Sequence, residues 1–246
     1  MDRKWGEVTE SVDAVDLTTG EHRRLSAREL EFGYRTSLLK RAPGRLLVTA
    51  VTNMTAEPAH PWVSRGGLKL DHALNAFGVD PAGRACLDVG SSTGGFTDVL
   101  LARGARRVVA VDAGRDQFHA KLRTDPRVIS LEATDARELT AELLGEPPSL
   151  IVVDASFIGL AKLLARPLEL AARQATLVGL FKPQFEVGPA NVGRGGIVSD
   201  QAAVDRAAGE LETWLRDRGW PIVAWTPSPI AGGDGNLERL FHCVRR

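Results

Sequence analysis

From residue 84 onward the apolar positions gather into short continuous runs, each stopped by a glycine or an acid and followed by residues at helical spacing. Leu87 to Leu101, LDVGSSTGGFTDVLL, compresses three elements: a buried strand, a glycine turn, and a helix with Phe96, Val99 and Leu100 on one face. Thr93 is the predicted N-cap of that helix. Arg107–Asp112, Val128–Leu131 and Leu150–Asp154 are further runs, apolar almost throughout, as strands covered on both faces should be. Leu70, Ala73, Leu74 and Phe77 form a helical stripe ahead of the first strand, and Ala202 to Trp214 predicts a later helix. Pro221–Trp225 and Leu240–Val244 predict an antiparallel pair joined by Gly232–Asn236. The alternation predicts an α/β fold with a mostly parallel, doubly wound sheet and an antiparallel last strand. Residues 1–58 stand outside this pattern. Glu57–Pro61, bracketed by prolines, reads as a linker between that small N-terminal appendage and a main domain over 59–246.

The glycine turn is the first candidate for chemistry. Its spacing is G-x-x-x-G-G over Gly90, Gly94 and Gly95, unlike the G-x-G-x-x-G of dinucleotide binders, so a ligand without phosphate fits better. S-adenosylmethionine is the commonest such ligand on a strand, turn and helix of this kind. Without Cβ atoms there, the backbone is expected to approach the ligand closely. Asp112 ends the next strand about 20 residues on, where a carboxylate accepts hydrogen bonds from ribose hydroxyls. Asp135 follows the third strand and is a candidate for the adenine amino group, or else a plain loop acid. The candidate cofactor-binding set is therefore Asp88, Gly90, Ser91, Ser92, Thr93, Gly94, Gly95, Phe96, Asp112 and Asp135.

Composition narrows the class without choosing it. The 246 residues suffice for one large core with an appendage, and 31 basic residues balance 31 acidic ones, so RNA contact would need a local patch. The N-terminus lacks an apolar signal region, no stretch nears 18 uninterrupted apolar residues, and a cytoplasmic protein is expected. Cys86 and Cys243 sit in apolar runs without partner spacing, which predicts buried thiols and no metal site.

Several longer motifs carry a family resemblance. WVSRGGLKL, LDVGSSTGGFTDVLLARGA, IVVDASFI, FKPQFEVG, VGRGGIV and GNLE together resemble the TlyA (haemolysin-A-like) branch of FtsJ-type ribose 2′-O-methyltransferases, from Trp62 to the C-terminus. The resemblance implies a Rossmann-like methyltransferase domain, S-adenosylmethionine as donor, and ribosomal RNA, free or in a subunit, as acceptor. It also implies a Lys-Asp-Lys-Glu catalytic tetrad falling on Lys69, Asp154, Lys182 and Glu238. A ribose hydroxyl is a poor nucleophile and gains from a base, which a lysine can be only when neutral; a second ammonium and orienting carboxylates favour that state. Arginine stays protonated, and this chain keeps lysine at these positions although it has six lysines against 25 arginines. Lys182 is the expected base, with Lys69 as the neighbouring charge. Taken singly, each residue has a plainer reading: Lys69 as a solvated helix face, Lys182 as a strand-end charge, Asp154 as a helix cap. Arg65 and Arg194, in adjacent motifs, are the expected RNA-backbone contacts.

Two stretches depart from the family. Residues 1–58 lack its usual basic RNA-binding module, and Asp16–Thr52 instead resembles a fragment of UDP-N-acetylenolpyruvoylglucosamine reductase, for which a β-hairpin with a short helix is expected. GRDQFHAKL stands where the family usually shows GYGQLAWKL, which predicts weaker packing beside the adenine. Three other classes stay open: a haemolysin-like membrane-active protein, a methyltransferase fold with little activity, and a nicotinamide-dependent oxidoreductase, each separable by direct assay.

Overall fold

The computed structural model describes residues 9–26, 46–53 and 60–245, and the chain divides into two compact units, Met1–Ala59 and His60–Arg246. In the first, β1 (Thr9–Asp16), β2 (His22–Ser26) and β3 (Leu46–Asn53) form an antiparallel sheet in the order β2-β1-β3. The expected hairpin is therefore two strands of a three-stranded sheet. Val12, Ala14 and Leu25 are buried apolar side chains among those described in it, and Asp16 closes the β1–β2 turn by accepting from the Thr18 N–H at 2.9 Å. The expected short helix is not among the described residues of this unit, and most of the Glu57–Pro61 linker lies outside them.

The second unit is built on a seven-stranded sheet: β4 (Ala85–Val89), β5 (Arg107–Val111), β6 (Val128–Leu131), β7 (Leu150–Val153), β8 (Thr176–Phe181), β9 (Ile222–Pro227) and β10 (Arg239–Val244). The order is β6-β5-β4-β7-β8-β10-β9; the first five run parallel, and β10 pairs antiparallel with both β8 and β9. The strand pattern read from the sequence is thus observed, with β10 entering the sheet between β8 and β9. Successive strand residues face opposite sides. Leu87, Val89, Ile151, Val153, Leu177 and Phe241 pack with α5 (Leu160–Glu169) and α7 (Gln201–Arg216). Cys86, Val108, Val152, Val178 and Leu240 pack with α1 (Gly66–Phe77) and α2 (Gly95–Ala102). Each face has its own dry cluster, which is the doubly wound arrangement.

Three shorter helices connect these layers: α3 (Ala120–Arg123), α4 (Ala141–Leu144) and α6 (Pro183–Glu186). Helix α1 ends because Gly78 takes the left-handed conformation at φ 63°, and Val79 N–H then bonds back to Leu74 O at 3.0 Å. Both cysteines are free and buried, and burial pushes the Cys86 thiol up to about 12. No described helix is long and apolar enough to cross a membrane.

Gly179 sits opposite Phe241 in the β8–β10 ladder, and a Cβ on it would lie 2.2 Å from the Phe241 ring. Gly179→Ala is expected to destabilise the fold by about 1–3 kcal/mol through overpacking, read by urea denaturation.

Candidate functional site

The glycine turn owes its shape to protein contacts on every side. Gly90 (φ 81°) and Gly94 (φ 96°) both lie in the left-handed region. A Cβ on Gly90 would sit 2.6 Å from the Asp154 main-chain oxygen, one on Gly94 2.3 Å from Leu122, and one on Gly95 2.2 Å from Ser64 Oγ. These glycines let the chain after β7, the Phe118–Leu122 segment and the start of α1 close on the turn. The close approach expected toward a ligand is, at all three glycines, an approach to the protein itself. Gly94 occupies the N-cap of α2, so Thr93 is not the cap the sequence suggested, and no side chain caps that helix. The Thr93 main-chain oxygen instead accepts from His119 N–H at 3.1 Å.

The acids of the candidate cofactor set fall into different environments. Asp112 Oδ2 accepts from Ser92 N–H at 2.8 Å and Oδ1 from Gly114 N–H at 2.6 Å, tying the end of β5 to the turn. Asp88 is fully buried in β4; Oδ2 accepts from Thr97 Oγ1 at 2.7 Å, and Oδ1 is buried without a hydrogen-bond partner. Burial pushes its carboxyl up to about 7 against the Thr97 hydrogen bond, with Asp154 and Asp112 adding to the rise. Asp135 is engaged locally: it caps a short turn and pairs with Arg137 at 2.5 Å, and that hydrogen bond holds its carboxyl below the usual range. Ser91 and Phe96 are buried, while Ser92 (φ 46°) hydrogen-bonds Gln117 through its hydroxyl at 3.2 Å. In the divergent GRDQFHAKL stretch, Phe118 is buried and abuts the turn at Gly94.

Beyond the turn lies a cluster of two ion pairs. Asp154 follows β7 and Lys182 follows β8, its neighbour, and their charged atoms meet at 2.5 Å with side chains 19% and 12% exposed. This contact is ionic; the directed hydrogen bond of Lys182 Nζ goes to Ser156 Oγ at 2.9 Å. Glu238 precedes β10 and Lys69 lies in the first turns of α1; they pair at 2.5 Å with side chains 2% and 10% exposed. Burial pushes the Asp154 carboxyl up, but the charges of Lys182 and then Lys69 outweigh it and hold the group below its ordinary value. The four residues thus form one charge cluster. Two of the plainer readings fail on geometry: Lys69 is buried, and the N-terminus of α5 is met by Glu186, whose Oε1 accepts from Leu160 N–H at 2.9 Å, rather than by Asp154; Lys182 does stand at a strand end, directly after β8.

Arg65 is half-buried at the start of α1, with Nη2 donating to Ala231 O at 3.4 Å, and Arg194 is exposed on a short turn, Arg194–Gly196. Sequence reasoning assigned no role in the cluster to Ser156 and passed over Ser64 and Asn236. Ser156 lies two residues from Asp154, but its contact with Lys182 depends on the loop after β7, where Phe157 takes φ 69°.

A parallel sheet with one antiparallel strand, a glycine turn after β4 and acids along its carboxyl edge define a Rossmann-like methyltransferase fold. The sequence model of the FtsJ-like methyltransferase family matches residues 62–246, and the chain belongs to that family. The 16S/23S rRNA (cytidine-2′-O)-methyltransferase TlyA of Mycobacterium tuberculosis is 48% identical over 195 residues, 77% of this chain and 73% of that protein. Hemolysin A of Brachyspira hyodysenteriae is 40% identical, covering 74% of this chain and 77% of its own length. Among solved structures, a haemolysin from Lactococcus lactis superposes with a TM-score of 0.73 at 39% identity, over 76% of this chain and 90% of that one. Magnesium protoporphyrin IX methyltransferase from Synechocystis, at 17% identity and TM-score 0.51 over 74% and 84%, shares the fold alone. UDP-N-acetylenolpyruvoylglucosamine reductase of Xylella fastidiosa is 55% identical over 40 residues, 16% of this chain and 11% of that enzyme.

The raised Asp88 carboxyl gives a stability prediction. Between the unfolded value of 3.8 and about 7 the native state holds the extra proton, so this group's contribution is full below that window and is lost as pH rises through it. Asp88→Asn, which still accepts from Thr97, should flatten the decline between those pH values and melt higher than the unaltered protein at pH 8, by calorimetry without ligand.

Proposed function

We propose that this chain transfers a methyl group from S-adenosylmethionine to a ribose 2′-hydroxyl of RNA, with ribosomal RNA in the cytoplasm as the acceptor class. The observation that carries this reading is the pair of lysine–carboxylate contacts, Lys182–Asp154 and Lys69–Glu238, gathered at the carboxyl edge of the sheet. The relatives named as rRNA cytidine-2′-O-methyltransferases support it.

The residues around the glycine turn fit the donor. Asp88 Oδ1 is a buried acceptor still lacking a hydrogen bond, suited to an ammonium or N–H of the ligand. Each Asp112 oxygen accepts one backbone N–H and retains a lone pair for a ribose hydroxyl. Ser91 lies buried within the turn with Phe96 packed in the core behind it, and Asp135 would contact the adenine only by sharing its carboxylate with Arg137. When bound, the donor supplies a methyl group on a sulfonium, already electrophilic.

The chain's own task is therefore to hold the acceptor hydroxyl in line and take its proton. Lys182 Nζ is held by the ionic contact with Asp154 and by its hydrogen bond to Ser156 Oγ. The base is the neutral Lys182 amine, left once its own proton has gone to solvent; the hydroxyl proton passes to its lone pair as the new O–C bond forms and the methyl–sulfur bond breaks, with a neutral thioether as the leaving group. Lys69, held by Glu238, sets the field around Asp154 and Lys182. Arg194 and Arg65 grip the backbone phosphates, and RNA affinity should fall with salt.

The reading is tested by incubating the protein with tritiated S-adenosylmethionine and separated ribosomal RNAs and subunits, then digesting to nucleosides. Label in a 2′-O-methyl nucleoside is expected; label confined to a base, or none in RNA, overturns it. Asp112→Ala should weaken donor binding by about 1.5–3 kcal/mol, the worth of a charge-assisted hydrogen bond, in calorimetry. Lys182→Ala should lower turnover by about 10²–10⁴-fold with donor affinity unchanged within a few-fold. Lys182→Arg keeps the charge but cannot take the proton, so near-native turnover in that variant would reduce Lys182 to electrostatic positioning.

A further inference from the structure

One buried amide joins the VGRGGIV and GNLE motifs. Asn236 is 2% exposed; its Oδ1 accepts from Val198 N–H at 2.9 Å and its Nδ2 donates to Gly196 O at 2.9 Å. Both ends of the side chain are thus spent on main-chain groups of a loop some 40 residues earlier in sequence. That loop, Gly193–Val198, folds on itself through Gly193 N–H to Ile197 O and Gly196 N–H to Gly193 O, with Gly195 and Gly196 at positive φ. It carries the exposed Arg194.

The segment holding Glu238 is fixed by other means. Ser228 N–H bonds to Glu238 O at 2.9 Å, Gly232 N–H to the main-chain oxygen of Asn236 at 2.9 Å, and Arg65 reaches Ala231 O. Glu238 also lies directly over Gly232, where a Cβ would meet its Oε1 at 2.5 Å. None of these contacts uses the Asn236 side chain. Removing that side chain therefore releases the Gly193–Val198 loop while leaving the Lys69–Glu238 pair its own supports.

We propose that Asn236 is a positioning residue for acceptor recognition, holding the Gly193–Val198 loop and its Arg194 in register with the charge cluster. The proposal rests on the reading that the acceptor is RNA gripped in part by Arg194. An amide is required because the two loop groups are one donor and one acceptor; a carboxylate serves only the donor, and an apolar residue serves neither.

The test compares Asn236→Ala, Asn236→Asp, Arg194→Ala and the Arg194→Ala/Asn236→Ala double variant, in steady-state kinetics with S-adenosylmethionine and ribosomal RNA. Asn236→Ala should raise the acceptor KM about 10-fold, with kcat and donor affinity held within about 3-fold, the signature of lost acceptor binding. Asn236→Asp, which keeps the bond to Val198 N–H, should fall between, and also serves if the alanine variant folds poorly. In the double variant the acceptor KM should exceed that of Arg194→Ala by no more than about 2-fold, because the two act through one loop. A fall in kcat at constant KM, or additive KM effects, overturns the proposal. An unaltered protein that methylates RNA beside an Asn236→Ala variant of normal KM overturns this proposal alone; no methylation by the unaltered protein overturns the functional reading and this one with it.

Discussion

Because β10 runs antiparallel beside β8, the residue that precedes it reaches the same edge of the sheet as the residues that follow β7 and β8. Arg239 pairs with Phe181 across the ladder, so Glu238 and Lys182 leave neighbouring strands at the same level. A parallel β10 would have carried Glu238 to the opposite edge. The charge cluster depends on this single reversal. Once Glu238 is there, Lys69 on the overlying α1 can be buried with a counter-charge, and its ammonium helps keep Asp154 ionised beside Lys182. Breaking a pair this far from water is costly, since the remaining charge has no solvent to turn to.

The same edge explains why the glycine turn is so crowded. Gly90 admits the main chain of Asp154, and Gly95 admits Ser64 at the head of α1, so the turn that would face the cofactor also sets the distance to both lysine-bearing segments. Asp98 reinforces the second contact by accepting from Val63 N–H at 3.0 Å. Glycine turn and charge cluster are thereby one packed body.

Continuous apolar runs made the strands of the main unit legible, because a strand covered on both faces has no polar alternation to hide it. The charge cluster was legible only through the motifs that contain it. Lys69 or Glu238 alone carries no signal, and their contact spans 169 residues. What escaped was set by loop geometry. Thr93 looked like a cap, but a left-handed Gly94 occupies that position; Asp135 read as an adenine contact or a plain loop acid, and its pairing with Arg137, two residues on, was not foreseen. β3 was missed because it joins β1 from across a long connection, where local turn signals say nothing about pairing.

Lys69, Asp154, Lys182 and Glu238, carried by four separate elements, are expected to act as one unit. A double-mutant cycle on single-turnover methyl transfer, with Asp154→Ala and Glu238→Ala drawn from the two different pairs, tests it most directly. Strong non-additivity is expected, the double variant transferring methyl little more slowly than the slower single one. Rate losses that simply multiply would show two independent pairs and contradict it.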